Sequence, residues 1–196
     1  ATTTTILVLL ATGHYHVLAH RGWAEVGGVL GPIAVAALIE EVTYRGLLFR
    51  ILEERTGTMW ALTLSSIVFS VSHVANGGFG PVTLISVVLT GAMWAGVYAV
   101  TRNLWVASAH HACWNAAIFL SGLPLSGVEE WRVKAPLVTE YRGSVLWTGG
   151  AFGPEDSLVS IALCFAMCVG TTPICWGDNA GGQVDPTQVR VVDLNR

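Results

Sequence analysis

Six polar side chains stand among apolar neighbours: Glu40, Glu41, Arg45, His73, His111 and Asn115. Carboxylate, imidazole and carboxamide are the groups amide hydrolysis needs. It requires a base for water, a proton donor for the leaving amine, and N–H donors for the oxyanion. Glu41 and Arg45 are four residues apart with Glu first, the favourable order for a helical ion pair. Arg45 is therefore expected to keep Glu41 charged and to fix its rotamer. Glu40 points about 100° away on a helix and can face a different partner. His111 and Asn115 are also four apart and share one face, so an imidazole N–H and an amide can converge on one oxygen. His110 points elsewhere with no partner in register and is assigned to packing. His14, His16 and His20 are expected to form a wet loop cluster, not a metal site.

The elements that must hold these groups are apolar. The chain has 196 residues, enough for a single domain, assigned to residues 1–196 with a motif core at 26–120. Charged residues make up 12%, about half the ~25% of soluble domains. Apolar residues reach 53% and mean hydropathy is +0.58. Net charge is −3, which leaves no basic surface for phosphate backbones and excludes nucleic acid as a partner. Cys113, Cys164, Cys168 and Cys175 form no C-x-x-C pair, so neither a disulfide framework nor a zinc knuckle is expected.

A membrane span needs ~20 mostly apolar residues. Val26–Ile39, Thr56–Ser72, Val82–Val100, Asn103–Leu120 and Ser157–Gly177 meet that description. The expected fold is thus all-α, a polytopic transmembrane bundle of five spans plus an N-terminal fragment. The opening Thr run and ILVLLA look like the tail of a longer segment, with a truncated N-terminus. Residues 121–156 form a long polar connection, expected outside the bilayer. Arg45, Arg50 and Arg55 fall in one connection and Arg102 in the next on that side, while NGGFGP at 76–81 carries no charge. The Arg-bearing ends are therefore expected to be cytoplasmic.

Depth brings the polar groups together. Counted from a turn near Gly57, Glu40 lies ~25 Å and His73 ~24 Å along antiparallel helices. His111 and Asn115 fall ~15 and ~20 Å beyond the turn at Arg102, a difference that helix tilt can absorb. Ionisable groups cost roughly 2.5–3.5 kcal/mol each inside a membrane helix, which marks the cluster as functional.

Three short patterns carry a resemblance. Glu40-Glu41-Val-Thr-Tyr-Arg45 resembles the Glu-Glu-x-x-x-Arg motif of the CAAX-processing and bacteriocin-processing intramembrane proteases, the Abi or CPBP family. Phe69-Ser-Val-Ser-His73 resembles its Phe-x-x-x-His motif, and His111-Ala-Cys-Trp-Asn115 its His-x-x-x-Asn motif. WTGGAFGPEDS at 147–157 is similar to a stretch of bacterial members. The resemblance implies an integral-membrane endopeptidase, multi-pass and in the plasma membrane if bacterial. Its active site would lie in an intramembrane cavity, and its partners would be the bilayer and a membrane-anchored peptide or protein substrate. It implies that Glu40 and His73 activate water, that His111 and Asn115 hold the oxyanion, and that Glu41 and Arg45 support them.

No cofactor is expected, with zinc as the alternative. A zinc-dependent membrane hydrolase would use Glu40, His73 and His111 as ligands, although the H-E-x-x-H helix is absent. A transporter or proton relay would also place Glu and His in helices, but as a file crossing the membrane and not at one depth. A non-catalytic immunity-type protein is a third reading. After Gly170 the chain turns polar, unlike the basic tail usual in a membrane protein.

Overall fold

A computed structural model describes residues 1–176, with side chains through residue 171. The polar stretch after Trp176 lies outside the described residues. Helix α1 (Thr2–Ala11) leads into strand β1 (Tyr15–His20). A continuous helical rod follows, built from α2 (Val26–Glu41), a π-helical segment (Val42–Phe49) and α3 (Arg50–Thr56). Gly57, at φ 83°, reverses the chain into α4 (Thr58–Val71). Then come α5 (Pro81–Thr101) and α6 (Leu104–Ser121). The connection at 122–157 contains α7 (Glu129–Arg132), β2 (Leu137–Tyr141), α8 (Val145–Thr148) and a 3-10 turn (Pro154–Asp156), and α9 (Leu158–Trp176) follows.

The all-α expectation needs correction. β1 and β2 pair antiparallel, with Tyr15 opposite Tyr141 and His20 opposite Leu137. Two short runs some 120 residues apart form a strand pair only when the helices bring the two segments together, so no local pattern announced it. His16 and His20 therefore lie in a strand and not in a loop. His14 precedes it, bonded through Nδ1 to the Thr12 hydroxyl at 2.9 Å and stacked 5.8 Å from Trp147. The Tyr15 hydroxyl donates to the Ser121 carbonyl at 2.5 Å, seating the sheet on the end of α6.

Each of the five apolar stretches is helical over its described residues. Among the described residues two helical stretches are long and apolar enough to cross a membrane, Val26–Thr56 and Pro81–Thr101. α4, with 14 residues, reaches only about 21 Å at 1.5 Å per residue. α6 has the length, but His110, His111 and Asn115 lower its hydropathy. The segment that places three arginines in one connection also differs from expectation. Residues 45–56 are helical and Arg45 is buried within the protein at 1% exposure. Arg50 and Arg55 stay near that end. Arg102 bridges Glu53 through Nη1 at 2.5 Å and Nη2 at 2.8 Å, which fixes the turns at Gly57 and Asn103 at the same end.

The core sits between α2, α5 and α6, around Ile33, Trp94, Trp114 and Phe119. A second cluster, Phe49, Ala61, Tyr98 and Ala107, closes the Arg-bearing end. α4 approaches α5 closely at Gly91, where a Cβ would sit 3.1 Å from Phe69 and 3.3 Å from the Ser66 Cα. The outer faces are apolar. Val35, Ile39, Leu47 and Ile51 are exposed at multiples of four along the first rod, a stripe wider than single scattered residues.

Candidate active site

The polar cluster is assembled from three helices. Glu41 comes from the last turn of α2, Arg45 from the π segment and His111 from α6. Arg45 Nη1 donates to Glu41 Oε1 at 3.0 Å, as the i,i+4 spacing predicts. Arg45 Nη2 donates to the Gly91 carbonyl at 2.8 Å, tying the π segment to α5. The same Glu41 Oε1 accepts from His111 Nδ1 at 2.9 Å. The i,i+4 spacing pairs Glu41 with Arg45 and gives no sign of this second partner. The depth gap counted between Glu40 and His111 narrows, because residues 42–49, between Glu40 and the Gly57 turn, are wound as i→i+5 turns that climb less per residue than α turns.

With its Nδ1 proton committed to Glu41, His111 presents Nε2 toward Glu40, whose Oε2 lies 3.7 Å away. That is beyond hydrogen-bond range. Glu40 is 32% exposed and Glu41 is 0% exposed. His73 Nδ1 donates to the Phe69 carbonyl at 2.8 Å, which explains the Phe-x-x-x-His spacing and turns Nε2 outward as a lone-pair acceptor in the neutral ring. Asn115 is buried, with Oδ1 enclosed and without a partner, so its N–H end is left for the cavity.

Glu40, His73, His111 and Asn115 all line one cavity. No hydrogen bond or ion pair joins Glu40 to His73 among the described residues; they face the space from α2 and from just past α4. Aromatic rings fix the geometry. Trp94 stacks on His111 with centroids 3.7 Å apart, and Phe69 lies 4.6 Å from His73. The Arg45 guanidinium sits 4.7 Å from the Phe69 centroid. His110 does have a partner, contrary to expectation: its Nδ1 accepts from the Trp94 indole at 3.0 Å, so its packing role includes orienting that ring. Among the described residues no group of three or more His, Cys, Asp or Glu gathers at metal-holding geometry.

Sequence reading missed Glu155, which also lines the cavity and is 6% exposed. It lies in the WTGGAFGPEDS stretch, so the signal was present without a role attached. Burial pushes its carboxyl up to about 7; two bonds from Ser126 oppose the rise and the Asp156 charge adds to it. Asp156 is itself raised by burial, against bonds from Ser86 and Thr83. It braces the first turns of α5 by accepting from the Thr83 hydroxyl at 2.5 Å and from the Ser86 hydroxyl.

The protein is mostly helical and largely apolar, and its cavity is lined by carboxylate and imidazole groups. The family model for Type II CAAX prenyl endopeptidase Rce1-like proteins matches residues 21–117, which contain all three motifs, and this match supports a CAAX-type protease family. No curated protein and no solved structure matches the chain.

Proposed function

We propose that the chain is a multi-pass intramembrane endopeptidase that hydrolyses a peptide bond of a membrane-associated or lipidated substrate without a metal. The observation that carries this reading is one cavity lined by Glu40, His73, His111 and Asn115 from three elements. Glu40 and His73 flank the space in which a water attacks the scissile carbonyl. Glu40 takes the proton from water and delivers it to the leaving amine, and His73 Nε2 orients that water. Asn115 supplies a neutral N–H to the oxyanion. His111 supplies Nε2, which donates when the ring carries both protons. Glu41, held by Arg45, fixes the His111 tautomer. The carboxylate–imidazole contact also suits an orienting pair around a zinc ligand, so zinc held by Glu40, His73 and His111 is the second reading.

Four exposed tryptophans support membrane placement. Trp60 and Trp105 stand at the Arg-bearing end, at the starts of α4 and α6, whereas Trp23 and Trp147 stand at the opposite end. Two belts of this kind mark the two membrane interfaces. The test is peptide cleavage by the protein reconstituted in proteoliposomes, against a peptide library, with Glu40→Gln as control and a membrane-permeant chelator in a parallel arm. Cleavage by wild type, loss in Glu40→Gln and indifference to chelation are expected. Loss on chelation with recovery on stoichiometric zinc makes Glu40, His73 and His111 ligands. Cleavage that persists in Glu40→Gln overturns both.

A further inference from the structure

Three separate segments interlock at the end of the cavity opposite the Arg-bearing turns, and they meet at Ser126. Its backbone is left-handed, φ 47°, which a side chain rarely adopts without compensation. The compensation is visible. Glu155 Oε2 accepts from the Ser126 amide at 2.7 Å and from the Ser126 hydroxyl at 2.8 Å. Asn76 Nδ2 donates to the Ser126 carbonyl at 2.8 Å. Ser126 is thus gripped on both sides of its peptide plane by side chains from other loops. Asn76, Ser126 and Glu155 each line the cavity, as do Val128 and Trp131 just beyond Ser126.

The packing leaves this junction little room. Gly127, at φ 75°, lies so near Gly77 that a Cβ would collide with the Gly77 carbonyl, and Gly153 stands in the same relation to the Pro124 carbonyl. Gly127 N–H donates to the Phe152 carbonyl at 2.8 Å. The other Glu155 oxygen, Oε1, accepts from the Trp114 indole at 3.3 Å. Trp114 lies between His111 and Asn115 in sequence and meets Trp94, the ring stacked on His111, at 5.8 Å. Three donors occupy the two Glu155 oxygens, so this carboxylate acts as an anchor and not as a free proton carrier.

We propose that Glu155 is a positioning residue for peptide hydrolysis: by holding Ser126 in its left-handed conformation it sets Val128 and Trp131 over the cavity and so limits the size of the substrate side chain admitted beside the scissile bond. This assignment rests on the endopeptidase reading above. It predicts a substrate with a small side chain at that position. When the anchor is lost, Ser126 relaxes out of the left-handed region and the wall formed by Val128 and Trp131 moves back.

The experiment uses the full chain in proteoliposomes with a peptide series differing only in one residue beside the cleaved bond, from Ala to Leu to Phe. Wild type should favour the small residue. Glu155→Ala should fold, lose kcat/KM on the Ala peptide, and shift the Phe-to-Ala ratio by about tenfold or more, the scale on which pocket size discriminates. Glu155→Ala/Ser126→Gly should regain the wild-type ratio, because glycine adopts φ 47° unaided. An unchanged ratio in Glu155→Ala, or no recovery in the double variant, overturns the proposal. A second measurement does not depend on cleavage. A cysteine introduced by Val128→Cys on a cysteine-depleted background should react with a soluble maleimide several-fold faster when Glu155→Ala is added, and slow again with Ser126→Gly. Equal rates refute the anchor even if no peptide is cut; changed rates without cleavage by wild type refute the peptidase reading alone.

Discussion

Glu40 and Glu41 are adjacent and identical in chemistry, yet they belong to two differently built halves of the site. Glu41 is sealed, 0% exposed, with one oxygen shared by Arg45 and His111. Glu40 is 32% exposed on the cavity and lies 3.7 Å from its nearest ionic neighbour, His111. The sealed half has its charges paired and its rings stacked. The open half, Glu40 with His73 Nε2 and the Asn115 amide, keeps hydrogen-bonding capacity unspent. A helix turns about 100° per residue, so one step along the chain separates a group that fixes geometry from a group able to react. The sealed half is not fully satisfied either, since Glu41 Oε2 and Arg45 Nε are buried without a hydrogen-bond partner, a cost in free energy that the fixed geometry of the pair carries away from the cavity.

The sharpest way to break this comparison is to remove the pairing in the sealed half. Arg45→Ala leaves Glu41 buried and uncompensated and should cost roughly 3–5 kcal/mol, seen as loss of folded protein in a detergent melt. Glu41→Gln/Arg45→Met should recover part of it, since neither residue is then charged. Glu40→Gln, one residue away, should melt like wild type while cleaving nothing. Arg45→Ala that accumulates and melts like wild type would erase the distinction between the halves.

Asn115→Ala probes the open half more finely. The loss of one oxyanion donor should lower kcat by about 10²–10³, roughly 2.7–4 kcal/mol, with KM little changed. The measurement is steady-state cleavage of one good peptide. An equal rise in KM with kcat intact would assign Asn115 to substrate binding and move it out of the reactive half.

Glu155 gives the smallest effect, through pH. Its folded carboxyl titrates at about 7 against an ordinary 4.5, the rise coming from burial. A folded pKa above the unfolded one means the stabilising contribution is complete below pH about 4.5 and is lost as pH rises through about 7, a change of at most about 3 kcal/mol. Wild-type stability should therefore fall from pH 5 to pH 8 more steeply than that of Glu155→Gln. Asp156, the neighbouring carboxyl, is raised in the same direction and stays in both proteins. Parallel stability curves would show that the Glu155 charge is solvated and its loop open.

Local spacing made much of the site legible. The i,i+4 relation predicted the Glu41–Arg45 bond, and helix length placed Glu40 and His73 at one depth, consistent with their shared cavity. Charge-free stretches marked the five helices, because long apolar runs and Gly or Pro punctuation are properties of consecutive residues. α4 ends at Val71, within one residue of the stretch that the charge-free run marked.

The sequence by itself determined the helices, the Glu41–Arg45 ion pair and the three motifs within the stretch that the CAAX-type protease family model matches. Only the tertiary structure decided that His111 shares Glu41 with Arg45, that Trp94 connects His110 to His111, and that β1 pairs with β2 across the chain. It alone brought Asn76 and Glu155 to either side of Ser126. These contacts join residues about 30 to more than 100 positions apart, or pass through a third side chain. Hydrogen bonds and ring stacking act over a few ångströms in space, whereas sequence periodicity reports only neighbours along one element, so the partner of each group was set by packing and left no local trace.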